Sequence, residues 1–335
     1  MDKKIKTRFN DTIMQKALKR FGIEESKLKE LDGFESFIYE YSKDGIEYIL
    51  RIGHSIRRPE HLIQAEVDWI NYLAEGGASV AKAIKSETGK LVEPIDDGEG
   101  EFFMCTAFVK IIGENPWKFG WSDELFQTYG RILGKMHFLS RNYTPTTPKC
   151  NRPDWDDPMM LEVVEYLPDS DLKVKQRYLE LIQNINILPK NKETYGLIHQ
   201  DAHGGNMLVE KDGNIVLFDF DDSAYSWYMN DIAIVLFYAV MGRKDRTAFT
   251  HNFMKHFLKG YQQENIIDPN WLKEIPYFLK LREIDLYAVI HRSFDVNNLT
   301  DPWCAGYMKG RKEMIEQNVP YIDFDFALLK EFVNR

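Results

Sequence analysis

Cysteine is scarce, with 3 in 335 residues, at Cys105, Cys150 and Cys304. The number is odd and the positions match no metal-ligand spacing, which argues against a disulfide framework and points to a reducing compartment. Positive charge is also short: 43 Lys and Arg stand against 52 Asp and Glu, a net −9, where a nucleic-acid binder normally presents a basic surface. That balance is compatible with a cationic substrate, although solubility explains it as well. No apolar run approaches the length of a membrane span. The opening Met-Asp-Lys-Lys-Ile-Lys has charge with no apolar stretch behind it, so no signal peptide is expected and a cytoplasmic location is. Internal repeats and low-complexity segments are absent too. What remains is a well-packed composition, 44% hydrophobic and 13% aromatic, long enough for one large domain or two medium ones.

The richest stretch is Leu197–Asp222. Two short apolar runs, Met207–Val209 and Ile215–Phe218, flank Lys211-Asp212-Gly213-Asn214 and predict a hairpin. His199, Asp201 and Asn206 precede it, and Asp219 and Asp221 follow. A hairpin returns the chain on itself, so Asn206 and Asp219 are expected close together. An amide oxygen with carboxylates is a donor set for a hard cation such as Mg²⁺.

His199-x-Asp201-x-x-x-x-Asn206 has the spacing of the protein-kinase catalytic loop, and Asp219-Phe220-Asp221 stands where the metal-binding D-F-G would. The third residue is Asp rather than Gly and no Arg follows His199, departures that point away from protein kinases proper. His-x-Asp-x-His-x-Gly-Asn followed by Asp-Phe-Asp resembles the aminoglycoside phosphotransferase and choline kinase superfamily, within it the bacterial branch of type II homoserine kinases and stress-response kinases. The resemblance is dense over 196–234 and looser in the N-terminal third. It implies an α+β, bilobal, protein-kinase-like fold: a small antiparallel N-lobe with one key helix over residues 1–108, and a larger, mainly helical C-lobe over 109–335. It also implies ATP or GTP as co-substrate with Mg²⁺. Asp201 would accept the proton of the attacking hydroxyl, Asn206 and Asp219 would hold the metal, and His199 would brace the loop. His203 either orients Asp201 or satisfies a loop hydrogen bond, and Asp221 adds an outer contact.

Ahead of that stretch, Ile13, Met14, Ala17, Leu18 and Phe21 predict a packing helix ended by Gly22. Leu28–Leu31, Phe34–Tyr41 and Ile46–Ile52 read as strands, the last two joined at Asp44-Gly45. A helix from Pro59 to Glu75 sets Glu66 on its apolar stripe with Leu62, Ile70 and Leu73, costly for a carboxylate unless paired. Given the downstream motif, Glu66 is expected to pair with Arg51, the counterpart of the kinase strand-cation to helix-glutamate pair that positions phosphates. Arg in place of Lys resembles the bacterial branch and suits bidentate phosphate contact. The stretch before the second strand has one glycine, Gly33, and no G-x-G-x-x-G. Gly33 and Ser36 either offer groups to phosphates or form a plain turn.

Val80–Ile84, Lys90–Pro94 and Glu101–Val109 complete the small sheet. By position alone, Met104, Thr106 and Phe108 correspond to a kinase hinge, backbone on the adenine edge and side chains on its faces. Beyond it, a helix N-capped by Ser122 carries a core stripe with His137 beside it as a packed histidine. Residues 143–158 read as a loop, and further helices are expected at Leu172–Ile187, Ile232–Met241, Arg246–Gln263, Asn270–His291 and Ala305–Gln317. Asn230-Asp231 is read as cap of the helix after it, with Asp231 supporting the catalytic loop. Asp285, Tyr287, His291 and Arg292 form either a solvated face or part of an acceptor pocket.

The activity implied is phosphoryl transfer to a hydroxyl of a small molecule, with no nucleic-acid or membrane partner. Asp156, Asp157 and Asp222 would favour an amine-bearing acceptor. The alternatives are a Ser/Thr protein acceptor, as in the stress-response kinases, and a degenerate nucleotide-binding protein. A metallohydrolase built on His199, Asp201 and His203 lacks a second ligand cluster and leaves Asn206 and Asp219 idle.

Overall fold

The structure, a computed structural model, describes residues 2–333. The chain divides into two compact units. The first takes the N-terminal part through Asn115 together with Asn142–Arg152 and Met207–Asp221. The second takes Pro116–Arg141, Pro153–Asn206 and the chain from Asp222. An antiparallel sheet dominates the first and helices dominate the second, as the α+β expectation required.

In the first unit, helices α1 (Lys3–Arg8) and α2 (Asp11–Phe21) precede strands β1 (Lys29–Leu31), β2 (Phe37–Lys43) and β3 (Ile46–His54). Asn10 caps α2 by accepting from the Ile13 N–H at 3.2 Å, and Gly22 ends it in the left-handed region at φ 63°. Helix α3 (Glu60–Glu75) follows, then β4 (Ala83–Ile84), β5 (Glu93–Asp96) and β6 (Phe102–Val109). The sheet runs β1-β2-β3-β6-β4, with β5 also on β6, and every pairing is antiparallel. Asp44 and Gly45 both take positive φ, the turn geometry that matches the twist of a two-residue hairpin. Alternation then divides the faces. Tyr39, Tyr41, Leu50, Ile52, Phe103 and Cys105 pack into one core with α2, whereas Met104 packs with Ile63 and Val67 of α3.

Three strands differ from expectation by several residues; one is β5, observed at Glu93–Asp96 where Lys90–Pro94 was expected. β2 begins at Phe37 rather than Phe34, because the chain turns sharply at Gly33, where a Cβ would sit 2.1 Å from the Ser36 carbonyl oxygen. Val80 does not join the sheet; it bridges Leu217, with the Ala81 N–H donating to the Leu217 oxygen at 3.0 Å. Leu217 lies in the hairpin β8 (Met207–Val209) and β9 (Ile215–Leu217), which pairs Met207 with Leu217 as expected.

The second unit contains α4 (Pro116–Phe119), α5 (Asp123–Ser140), α6 (Pro158–Leu161), α7 (Leu172–Asn186) and β7 (Tyr195–Ile198), which pairs with β10 (Ala224–Trp227). Then come α8 (Tyr228–Ala239), α9 (Arg246–Tyr261), α10 (Ile275–Ser293), α11 (Pro302–Met308) and α12 (Arg311–Glu316). α5 and α9 touch backbone to backbone: a Cβ on Gly130 would lie 1.8 Å from the Phe257 oxygen, so glycine is what permits the contact. The helix expected over Ala305–Gln317 is two, divided at Gly310, which has φ 66°. Asp231 is not a cap. α8 starts at Tyr228, three residues earlier, and the Asp231 carboxylate is spent elsewhere. Among the described residues no helix is long and apolar enough to cross a membrane.

Candidate active site

In the first unit the site grows from three neighbouring strand and helix positions. Arg51 lies on the face of β3 opposite Leu50 and Ile52, and Glu66 on the buried stripe of α3. They meet in a bidentate pair, Nη1 to Oε1 at 2.8 Å and Nη2 to Oε2 at 2.6 Å. Arg51 Nε also donates to Thr106 Oγ1 at 3.3 Å, and its guanidinium lies 5.1 Å from the centre of the Phe108 ring. Burial would lower the Arg51 pKa, but Glu66 outweighs it, with Asp221 and Asp219 adding to the rise, so the cation is firmly held. Arg51, Ser36, Gly53, Met104 and Asp221 line one recess together with Arg57 and Arg58. The Ser36 hydroxyl sits above Gly53, where a Cβ would come within 3.4 Å of it.

The hinge expectation needs correction in its backbone part. Met104 pairs with Gly53 on one side and Pro94 on the other, and Phe108 with Ile49 and Ala83. Their peptide groups lie inside the sheet rather than at an open edge. The side chains of Met104, Thr106 and Phe108 do share the Arg51 face. Asp219 is exposed at the end of the hairpin segment and holds φ 64°, a region that aspartate visits at some cost. Asp221 is buried, with Oδ2 taken by Arg57 and, at 3.2 Å, by Arg58 Nε. Burial would raise the pKa of Asp221, but Arg57, Arg58, Arg51 and Arg152 hold it well below the carboxylate range. Sequence reading missed Arg57, Arg58 and Arg152; Asp221, the acid two positions after Asp219, was the one sign that cations were needed.

In the second unit the site is the loop after β7. Asp231, on α8, accepts from the N–H groups of His199 at 2.9 Å and Gln200 at 2.7 Å, holding Gln200 at φ 69°. His137 Nε2 lies 3.0 Å from the same carboxylate, and its Nδ1 lies 2.8 Å from Tyr261 Oη, so His137 is the packed histidine expected. His199 is fully buried and its Nδ1 accepts from the Asp201 N–H at 3.3 Å, which makes it a brace. Tyr129 Oη donates to the Ala202 carbonyl, and Trp117 and Trp121 close over Gly204, where a Cβ would lie 2.9 Å from the Trp117 ring.

These supports present Asp201. Asn206 Nδ2 donates to its Oδ2 at 2.9 Å and its carbonyl at 3.0 Å, while Arg282 of α10 donates to Oδ1. Arg282 is itself fixed on Tyr238 Oη at 2.6 Å. Burial pushes the Asp201 pKa up to about 6 against the pull of Arg282, with Asp222 adding to the rise. Burial lowers His203 to about 4, with Arg282 adding to the fall, so the imidazole is neutral near pH 7. Its Nδ1 accepts from the Gly205 N–H at 2.9 Å, which places its proton on Nε2, 3.4 Å from Asp201 Oδ2. The loop hydrogen bond expected of His203 is therefore made, while its Nε2 lies beside Asp201 without a hydrogen bond to it. Arg282 was invisible in the sequence, one cation in a long helix. Asp285, one turn on, is pushed up to about 7 by burial against the pull of Arg282, and Tyr287 is buried, donating to Asp171 at 2.8 Å. Within the strip on α10, Tyr287 is buried and Asp285 half-buried, while Arg292 is exposed.

The metallohydrolase alternative fails here. His199 and His203 each commit Nδ1 to the loop backbone, and among the described residues no group of three or more His, Cys, Asp and Glu gathers as a metal cluster.

Comparison with known proteins identifies the family. The model of the phosphotransferase enzyme family matches residues 28–275. The amicoumacin kinase of Bacillus subtilis (strain 168) is 38% identical over 332 residues, covering 98% of both chains. The solved amicoumacin kinase hAmiN, in complex with AMP-PNP, Ca²⁺ and Ami, is similar with TM-score 0.92 and 37% identity, over 98% of this chain and 100% of that one. A microcompartment-associated aminopropanol kinase shares the fold, with TM-score 0.74 at 22% identity over 92% and 98% of the two chains. The chain belongs to the phosphotransferase enzyme family and is a kinase of the small-molecule type.

Proposed function

We propose that this kinase transfers the γ-phosphoryl group of ATP to a hydroxyl of a small antibiotic-like acceptor, with amicoumacin the first compound to test. The observation that carries the reading is Asp201, presented by Asn206, His203 and Arg282 on a braced loop, in a chain similar over its whole length to amicoumacin kinases. The solved relative holds AMP-PNP and Ca²⁺, which supports a nucleoside triphosphate with a divalent cation.

Asp201 would accept the acceptor's hydroxyl proton, and its raised pKa, about 6, makes it a better base than an ordinary carboxylate while leaving it mostly ionised at neutral pH. Asn206 and Asp219 would hold Mg²⁺. Their chemistry fits: Asn206 spends Nδ2 on Asp201, which leaves Oδ1 as a hard oxygen donor, and Asp219 adds a carboxylate. When bound, the ion supplies charge neutralisation for the triphosphate. Arg51, fixed by Glu66, would bind the phosphates, with Gly33 and Ser36 at their edge, and Met104, Thr106 and Phe108 would offer side-chain surface to the base. The acidic residues Asp156, Asp157 and Asp222 would favour an acceptor that carries an amine. The Ser/Thr-protein and degenerate readings are not favoured, because the similar proteins above are small-molecule kinases.

The test is acceptor-dependent ADP release with Mg²⁺, using amicoumacin, spectinomycin, aminopropanol, choline and a generic protein substrate. Stimulation by amicoumacin that vanishes in Asp201→Asn is expected. Stimulation by the protein substrate alone would overturn the reading.

A further inference from the structure

The loop between β1 and β2 poses a problem that the sequence left open. A phosphate-covering loop usually owes its shape to several glycines, and this one has only Gly33. It also carries Glu35, an acid that would repel a triphosphate if it turned towards one. The structure shows what Glu35 does instead. Its carboxylate is taken by Arg57 Nε, and the same guanidinium reaches Asp221 through Nη1. Arg58 adds a second contact to Asp221 at 3.2 Å. Asp221 is a fixed anchor rather than a loose end: Arg152, itself buried, donates Nη2 to the Asp221 carbonyl at 2.6 Å and Nη1 to the Leu62 carbonyl at 3.0 Å. One residue beyond Glu35, Ser36 lines the recess with Arg51 and Met104.

We propose that Arg57 is a positioning residue for the nucleotide phosphates, which it serves by tying the Gly33–Ser36 loop, through Glu35, to Asp221. The planar guanidinium suits the task, because it can donate to two carboxylates in separate directions, as an ammonium does less well. Arg51 holds Glu66, Arg57 holds both Glu35 and Asp221, Arg58 adds to Asp221, and Arg152 backs Asp221 through its carbonyl. Glu35 thus helps anion binding despite its own charge, by setting the loop. This rests on the nucleotide-binding reading above.

That sign is what the experiment reads. ATP, ADP and adenosine are titrated calorimetrically into the full-length protein and its Glu35→Gln, Arg57→Ala and Arg57→Lys variants, each first checked for an unchanged circular dichroism spectrum. Positioning predicts that Glu35→Gln weakens ATP and ADP about tenfold, with adenosine unchanged. Arg57→Ala should do the same, Arg57→Lys should recover part of the loss, and the Glu35→Gln/Arg57→Ala double variant should be no worse than either single one. Plain electrostatics predicts the reverse for Glu35→Gln, since removing an acid near phosphates should tighten ATP. Tighter or unchanged ATP binding in Glu35→Gln overturns the proposal, as does a parallel loss for adenosine. A wild-type protein that binds adenosine but neither ATP nor ADP would overturn it too, and no nucleotide binding at all would take the functional reading down with it.

Discussion

Asp221 in the first unit and Asp201 in the second are both aspartates held by arginine, yet their acidities move in opposite directions. Around Asp221 stand Arg57, Arg58, Arg51 and Arg152, and together they overcome burial and keep the group ionised. Around Asp201 stands Arg282, with Asp222 opposing it, and burial carries the acid up to about 6. Burial acts on both; the number of compensating cations decides the outcome. An over-compensated carboxylate serves as an anchor, because it cannot leave its partners cheaply. An under-compensated one is a base, because it gains by taking a proton. The same pair of groups thus makes a strut in one place and, on the proposed function, would make a reacting group in the other.

The largest expected effect breaks the reacting half. Asp201→Asn should lower kcat by about 10³-fold, within the usual range for a positioned base, measured as acceptor-dependent ADP release. Next comes the strut half. Arg51→Ala strands Glu66, which is fully buried, and should cost about 3–5 kcal/mol in chemical denaturation; Glu66→Gln, which keeps the shape, should cost less.

The contrast itself is sharpened by comparing the two Asp→Asn variants in thermal melts at pH 7. Asp221 has a lowered folded pKa, so its contribution is present above the unfolded value and disappears as pH falls through the folded one. Asp221→Asn should therefore melt lower than wild type. Asp201 has a raised folded pKa, so above about 6 its charge opposes folding, a penalty that shrinks as pH falls through 6 and is gone below the unfolded value of 3.8. Asp201→Asn should melt no lower than wild type, and equal losses in both variants would refute the comparison. The smallest effect concerns acidity alone. The kcat/KM profile should fall on the acid side with a midpoint near pH 6. Arg282→Gln should move that midpoint upward, since Arg282 is the group that lowers it, and a midpoint that stays or falls would show that Arg282 does not set it.

Much of the arrangement was readable before any coordinates. The stripe of α3 put Glu66 on an apolar face, where a carboxylate is costly unless paired, but spacing alone favoured its reaching water; the downstream motif is what named Arg51 as its partner. The hairpin at 207–217 followed from its turn residues, and the packed His137 from its place beside a core stripe. Other features were opaque for physical reasons. The second strand was expected from Phe34, an aromatic just ahead of the alternating Phe37, Tyr39 and Tyr41; the carbonyl pressed against Gly33 delays its start to Phe37. Asp231 looked like a cap because Asn-Asp precedes an apolar run. Its carboxylate instead satisfies two N–H groups some 30 positions earlier, which no local pattern encodes. Arg282 and Arg57 were missed for the same reason: a single arginine in a helix or loop carries no mark of the carboxylate it will meet.

Local order along the chain was enough to specify the elements, the family and the identity of the acid and amide groups, because turn chemistry, side-chain periodicity and motif spacing act over a few residues. Which arginines reach which acids, and hence which aspartate is held well below and which above the ordinary carboxylate range, was settled by folding. Acidity depends on charges and solvent within a few ångströms, and the arginines whose side chains bond the Asp201 and Asp221 carboxylates come from 81 and up to 164 residues away.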